Sequence, residues 1–314
     1  MLKIFRSLAV SVAFVAALAL AAPGWAQATD AAASTVPITT VVTVLGDHGA
    51  PSPPVPQNEI TVYSGKTRLD VIKWVRARGP SAHIQLAILI DNSDGIISVG
   101  SQLDELARFI EAQPPHTEVG LFYATAESAQ TAAPFSTDHH AVAQALHLPL
   151  GWRNANSPSV YLSLSNLIRK WPGTAPRREV LLICSGIDHL HPGIESPYVD
   201  SAIEDAEKAG VVVHTLYSAG ERLALSQEGN VAQMNLTQFA DGTGGAILYQ
   251  GLMTPVSYGP FLEQLDLSLK NQYLLTFAME PAKKAKGELR PIRIRTEQHG
   301  LKLSYPQEVF VPSP

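Results

Sequence analysis

Three short stretches of this chain place oxygen donors at the ends of apolar runs or at the start of an amphipathic one. Asp91, Ser93 and Asp94 follow the run IQLAILI, and Ser185 and Asp188 follow VLLIC. Ser157 and Ser159 precede an amphipathic stretch that opens at Tyr161. Carboxylate and hydroxyl oxygens from three loops are the donor set a hard divalent cation such as Mg2+ takes, with water completing the shell. The same residue types have a plainer use, because Asp or Ser beyond a strand commonly caps the next helix. Both uses stay open for Asp91 and Ser93.

Other groups offer less. Ser185 follows an apolar run as a nucleophile would, but Ile183 and Ile187 stand where a nucleophile elbow needs glycine. His139-His140 and His189-x-His191 read as solvated loop histidines, since no Cys can assist them and no acidic ligand spacing recurs. Thr243-Gly244-Gly245 ends one predicted helix and opens a strand, so it reads as a tight left-handed connection; a phosphate cradle belongs at a helix N-terminus. Cys184, the single cysteine, excludes an intramolecular disulfide and reads as a small buried hydrophobe. Lys283, Lys284 and Lys286 read as a solvated hairpin loop, and the prolines of residues 51–56 as a stiff surface linker.

The elements that must position these residues follow from periodicity. Residues 84–90 and 180–184 are continuous apolar runs, suited to strands buried on both faces of a parallel sheet. Further strands are predicted at 119–124, 211–217 and 246–249. Helices are predicted through Val99, Leu103, Leu106, Phe109 and Ile110, after Asp138, and at 161–171, 197–209, 234–240 and 260–270. Gly210 supplies a C-cap signal. Strands alternating with helices imply right-handed crossovers and a doubly wound, mostly parallel α/β sheet. Ligands of such sheets bind beyond the carboxyl ends of the strands, where the oxygen donors lie.

Before this region, strands are predicted at 38–45, 60–63 and 69–75; after it, at 273–279, 291–296 and 301–305. Neither set suffices alone, so the two are expected to pair as a small β module. The expected organisation is a leader at 1–26, an N-terminal β segment at 27–80, the α/β domain at 81–272 and a C-terminal β segment at 273–314. The leader reading rests on Lys3 and Arg6, the apolar stretch 8–22 and small residues at Gly24, Ala26 and Ala28, the layout of a secretory signal peptide. The apolar stretch is short for a membrane span, which needs about 20 residues.

The composition is 46% hydrophobic and 16% charged, enough for a sizeable core. Net charge is −5, falling to −7 if Lys3 and Arg6 leave with the leader. An acidic chain without a basic stripe is a poor nucleic-acid binder. No later segment is long and apolar enough to span a bilayer, so the expectation is an exported protein, periplasmic or secreted.

Asp91-x-Ser93 at a strand end resembles the start of the metal-ion-dependent adhesion site of von Willebrand factor A domains, whose pattern is Asp-x-Ser-x-Ser, a later Thr and a later Asp. Gly95 stands at the second Ser, and Ser157 and Ser159 lie 66 and 68 residues past Asp91, flanking Pro158 near the Thr position. Ser185 replaces the usual Asp of the later strand, with Asp188 a partial substitute. The chain also resembles the secreted von Willebrand factor A-related proteins common in acidobacterial genomes. That likeness is carried by ITVYSGK at 60–66, Thr243-Gly244-Gly245, NQYLLT at 271–276 and the closing strands.

The resemblance implies a von Willebrand factor A-like fold and a degenerate metal site of Asp91, Ser93, Ser157, Ser159 and Asp188, holding no cofactor or a weakly bound divalent cation. Asp94 and Ser185 would belong to a partner-binding rim. The expected function is non-catalytic binding of another protein, with no nucleic acid partner and no membrane span. The alternatives are a structural scaffold subunit of an envelope assembly and, least favoured, a hydrolase using Ser185 or a loop carboxylate.

Overall fold

Eight consecutive residues of Ile84–Asp91 are buried, and this strand, β5, is the axis of a six-stranded sheet. The structure is a computed structural model that describes residues 35–92, 102–151, 159–172, 175–191, 196–219, 226–249, 251 and 255–314. The expected leader at 1–26, Ser93, Asp94, Gly95, Ser157 and Pro158 lie outside the described residues. The other strands of the sheet are β6 (Thr117–Thr125), β7 (Ser128–Ser136), β8 (Arg177–Cys184), β9 (Val211–Tyr217) and β10 (Ile247–Leu248), in the order β10-β9-β8-β5-β6-β7. All neighbours are parallel except β7, which returns antiparallel along β6. Counted from β5, the order is 3-2-1-4-5-6, the doubly wound arrangement, with its switch between β5 and β8. The predicted fold class is therefore the one found.

Helices cover both faces. Leu86, Ile88 and Ile90 pack with Leu106, Phe109 and Ile110 of α1 (Leu103–Glu111), Val142 of α2 (His139–Gln144), and Leu262 and Leu265 of α6 (Gly259–Lys270). Ala87 and Leu89 face α3 (Val160–Arg169), α4 (Val199–Ala209) and α5 (Gln227–Thr243). Burial on both faces is why these strands are continuous apolar runs.

The flanking strands form three antiparallel sheets: β14-β1-β11-β4, β13-β2-β3 and β12-β15. Their ranges are β1 Val36–Gly46, β2 Ile60–Ser64, β3 Thr67–Leu69, β4 Val71–Arg76, β11 Gln272–Met279, β12 Glu288–Pro291, β13 Arg293–Thr296, β14 Leu301–Ser304 and β15 Glu308–Val311. β1 pairs with β11 from Val36↔Met279 to Thr43↔Gln272, and β2 pairs with β13. Residues 69–75, expected as one strand, break at Asp70: β3 pairs with β2, and β4 pairs with β11. Residues 51–56 are docked rather than a plain surface linker. Val55 is buried, its carbonyl accepts from Trp74 Nε1 (2.8 Å), and its N–H donates to Tyr273 Oη (3.2 Å). The lysine loop at 283–286 is exposed, but it joins β11 to β12 of a different sheet and closes no hairpin.

This β module packs against the amino ends of the central strands. A buried polar junction joins the two. Arg177 Nη1 donates to Gln272 Oε1 (2.7 Å) and to the Leu269 carbonyl (3.0 Å), and Nη2 donates to the Ala82 carbonyl. Gln272 Nε2 donates to Glu179 Oε2 (3.1 Å). The Ala246 N–H donates to His214 Nδ1 (2.9 Å), so the ring proton sits on Nε2, which donates to Glu179 Oε2 at 2.6 Å. All four side chains are buried. Removing the carboxylate leaves two buried donors unpaired, so Glu179→Ala is expected to lower unfolding free energy by about 3 kcal/mol, measured by urea denaturation.

A second contact joins α4 to β15. Burial, and then the charge of Glu308, raise the Glu207 carboxyl to about 7. The Glu308 backbone N–H, which donates to it, and the nearby charge of Glu204 act in opposite directions. A folded-state value above the ordinary 4.5 means that the native state holds a proton the unfolded chain has lost. The contribution of Glu207 to stability is therefore fully present below about pH 4.5 and is lost as pH rises through 7. Glu207→Gln should flatten that window, removing at most about 3 kcal/mol of pH-dependent change in melts at pH 5 and 8.

Candidate functional site

Asp91 ends β5 at the switch point, paired with Ala124 of β6, and its side chain is buried. Cys184 ends β8 beside it. Burial first, then the charge of Asp91, push the Cys184 thiol well above its ordinary range, so it stays protonated as a buried apolar group. Tyr161, on the first turn of α3, is buried under the same loops. Its hydroxyl donates to the Gly186 carbonyl at 2.5 Å, and its ring stacks on Phe239 of α5 with centroids 5.5 Å apart. Burial dominates the upward shift of this phenol, with smaller contributions from Cys184, Asp188 and Asp91.

Ser159 and Asp188 meet directly, through an antiparallel bridge between their backbones. Ser159 Oγ caps α3 by accepting from the Leu162 N–H (3.3 Å), and the Ser159 N–H donates to the Ala126 carbonyl (2.8 Å). Asp188 Oδ1 accepts from the Leu190 N–H (3.1 Å) and the His191 N–H (3.2 Å), and Oδ2 accepts from Ser196 Oγ (2.6 Å). Ser185 is fully buried, and its Oγ accepts from the Ile187 N–H (3.3 Å). Placed on the partner-binding rim by its sequence position, Ser185 instead shapes that rim from beneath. Gly186 turns at φ +74°, with Ala232 of α5 so near that a Cβ would lie 2.9 Å from its carbonyl oxygen.

A divalent ion would need oxygens free to face it. Ser159 and Asp188 spend theirs on the cap of α3 and on the fold of the loop after β8. Among the described residues, no group of three or more His, Cys, Asp or Glu could hold a metal. Of the predicted ligands, Ser159 and Asp188 are thus already engaged within the protein. His189 and His191 lie in a loop as expected, but the other histidine pair does not. His139 and His140 open α2 rather than lying in a loop; His139 is buried against the Thr117 carbonyl (2.7 Å), and His140 meets Glu111 (2.8 Å). Gly244 adopts φ +77°, and a Cβ on Gly245 would meet the Val213 carbonyl oxygen at 2.0 Å, so the Thr243-Gly244-Gly245 turn is a tight connection.

Residues not singled out in the sequence complete the rim. Asn92 Oδ1 accepts from the Leu150 N–H (2.6 Å). Gln102 Nε2 donates to the carbonyls of Pro255 (3.0 Å) and Val256 (3.1 Å). Glu105 caps α6 through the N–H groups of Tyr258 (2.5 Å) and Gly259 (2.9 Å). Their position just past β5 and on the first turns of the next helix was the available signal. Tyr123 binds the next loop, donating to the His147 carbonyl (2.7 Å) and accepting from its N–H (2.9 Å).

No protein-family model matches the chain, and no curated protein matches it. Solved structures similar to it include an aerotolerance-related membrane protein from Bacteroides fragilis NCTC 9343 carrying multiple mutations to serines. It is 16% identical over 59% of this chain and 98% of that one, with a TM-score of 0.43. BatB from Bacteroides thetaiotaomicron is 18% identical over 43% and 66%, with a TM-score of 0.31. The von Willebrand factor A domain of SpRpn10 is 12% identical over 60% and 97%, with a TM-score of 0.40. The central sheet is von Willebrand factor A-like in fold, a reading carried by its doubly wound order with Asp91 at the switch.

Asp188 anchors its loop by three hydrogen bonds. Asp188→Ala is expected to cost about 2 kcal/mol and to speed amide exchange at Leu190 and His191, read by hydrogen exchange.

Proposed function

We propose that this chain is an exported, non-catalytic module that binds another protein through the carboxyl-end rim of its von Willebrand factor A-like sheet, without a tightly held metal. One observation carries the reading. Leu148, Leu150 and Val256 are 56%, 54% and 94% exposed, yet the backbones of their loops are pinned by Tyr123, Asn92 and Gln102. Apolar side chains held in water on fixed loops are prearranged anchors, because little ordering entropy remains to be lost on docking. The β module packs at the opposite, amino end of the strands and leaves this rim uncovered by its described residues.

The degenerate character of the metal site is supported by Gly95 and Ser185 at two pattern positions, and by the internal commitments of Ser159 and Asp188. Export is supported by the leader composition. No helix among the described residues is long and apolar enough to cross a membrane. A non-catalytic role is supported by Ser185, which is buried and whose hydrogen bond comes from a backbone N–H rather than from a base.

Two measurements test this. Calorimetric titration of the purified chain with Mg2+, Mn2+ and Ca2+ should give no binding tighter than millimolar. Micromolar binding lost in Asp91→Ala would overturn the metal-independent reading. In affinity capture from the source cell's envelope fraction, the wild type should retain a partner with or without EDTA. The variant Leu150→Asp/Val256→Asp should lose it at an unchanged melting temperature. Equal capture by that variant would remove the rim from the proposal.

A further inference from the structure

The three-stranded sheet β13-β2-β3 turns Ile60, Val62 and Ile294 into the core of the β module. Side chains alternate across a strand, so its other face presents Tyr63, Arg293 and Arg295, with Arg68 beside them. The register makes this a row: Arg293 lies opposite Tyr63 on one side, and Arg68 lies opposite Tyr63 on the other. The guanidinium groups of Arg293 and Arg295 sit 5.3 and 5.9 Å from the centre of the Tyr63 ring. All three arginines are exposed. Among the described residues, no carboxylate forms an ion pair with any of them. Glu59 and Glu297 flank β2 and β13 just beyond Arg295 and form no ion pair with it.

We propose that this face is a second docking surface, separate from the carboxyl-end rim, and that it binds an extended acidic segment of a partner protein. Three unpaired guanidinium groups around one ring are unusual on a chain whose net charge is −5. Each is a planar fork matched to a carboxylate, and stacking on Tyr63 holds two of the forks in orientation before any partner arrives. Arg293 and Arg295 are two residues apart on one strand, so their repeat is about 6.6–6.8 Å. A peptide running along the strand with an acid at every second residue repeats at the same interval. A bilayer fits less well. Anionic-lipid recognition takes clusters of about 4–8 basic residues, and a broad charged surface would meet the repulsion of the whole acidic molecule.

Fluorescence anisotropy on the full chain tests the surface with a labelled ten-residue peptide of alternating glutamate and serine. Saturable binding is expected at 50 mM salt, weakened at least tenfold at 300 mM. Arg293→Ser/Arg295→Ser should weaken it at least tenfold at an unchanged melting temperature, since both side chains lie outside the core. Arg293→Lys/Arg295→Lys keeps the charge and loses the forks, and should weaken it several-fold. Absence of saturable binding, binding indifferent to the serine variant, or equal binding by the lysine variant would each overturn the proposal. So would tighter, arginine-dependent binding to phosphatidylglycerol vesicles than to the peptide, which would assign the face to lipid. None of these outcomes depends on Leu150 or Val256, so this surface and the rim stand or fall separately.

Discussion

The carboxylate of Glu179 holds the architecture in register. It lies at 0% exposure near the start of β8, accepts hydrogen bonds from His214 and Gln272, and neighbours the guanidinium of Arg177. Through Gln272 it ties β11 of the module to β8 and β9 of the α/β sheet. Among the described residues, Glu179 Oε1 and Arg177 Nε find no hydrogen-bond partner, so the junction is an expensive way to gain stability. An apolar joint of the same volume could slide, whereas the hydrogen bonds that Glu179 accepts from His214 and Gln272 form in one alignment only. The junction therefore acts as a registration device between the two sheet systems.

That alignment decides where function can reside. With the module seated at the amino ends of β5, β8 and β9, the carboxyl ends face away from it. The fold thus separates a sealed, polar, rigid end from an open end rich in loops. Asp91 and Asp188 sit at the open end, but beneath its surface. Asp188 holds the loop after β8 through three hydrogen bonds, and Asp91 lies buried beside Cys184 and Tyr161. Among the described residues at the open end, Leu148, Leu150 and Val256 stand exposed beside polar groups such as Glu127, His147 and His191.

Much of this was readable from residue types. β5 and β8 declare themselves by apolar runs, Gly210 marks the end of α4, and Asp138 marks the start of α2 by accepting a hydrogen bond from the Ala141 N–H. β7 was missed for a physical reason. Its hairpin turns at Ala126, which holds φ +43° without the Asn-Gly or Asp-Gly signal that normally announces such a turn. β12 and β15 have four residues each, too few to show a period, and Pro291 masks the end of the first. Asp70 divides two strands because the chain changes sheets there, a decision made by partners some 200 residues away. At the site, Asp91 and Asp188 are legible as strand-end carboxylates, and Ser159 as the residue that opens α3. Their hydrogen-bond commitments were not, because Leu190, Ser196 and Leu162 reveal themselves as partners only once the loops are folded. Ser185 looked like a rim residue since sequence position reports closeness to a strand end but not depth.

The place of β1 has a consequence for assembly. This first described strand is interior to its sheet, flanked by β11 and β14, both of which come from the last fifth of the chain. Its edges cannot be satisfied until nearly the whole polypeptide is available. An emerging or translocating chain would hold a β-branched, aggregation-prone ribbon open throughout, and closing the module would be a late event, governed by the slow search of a long-range contact.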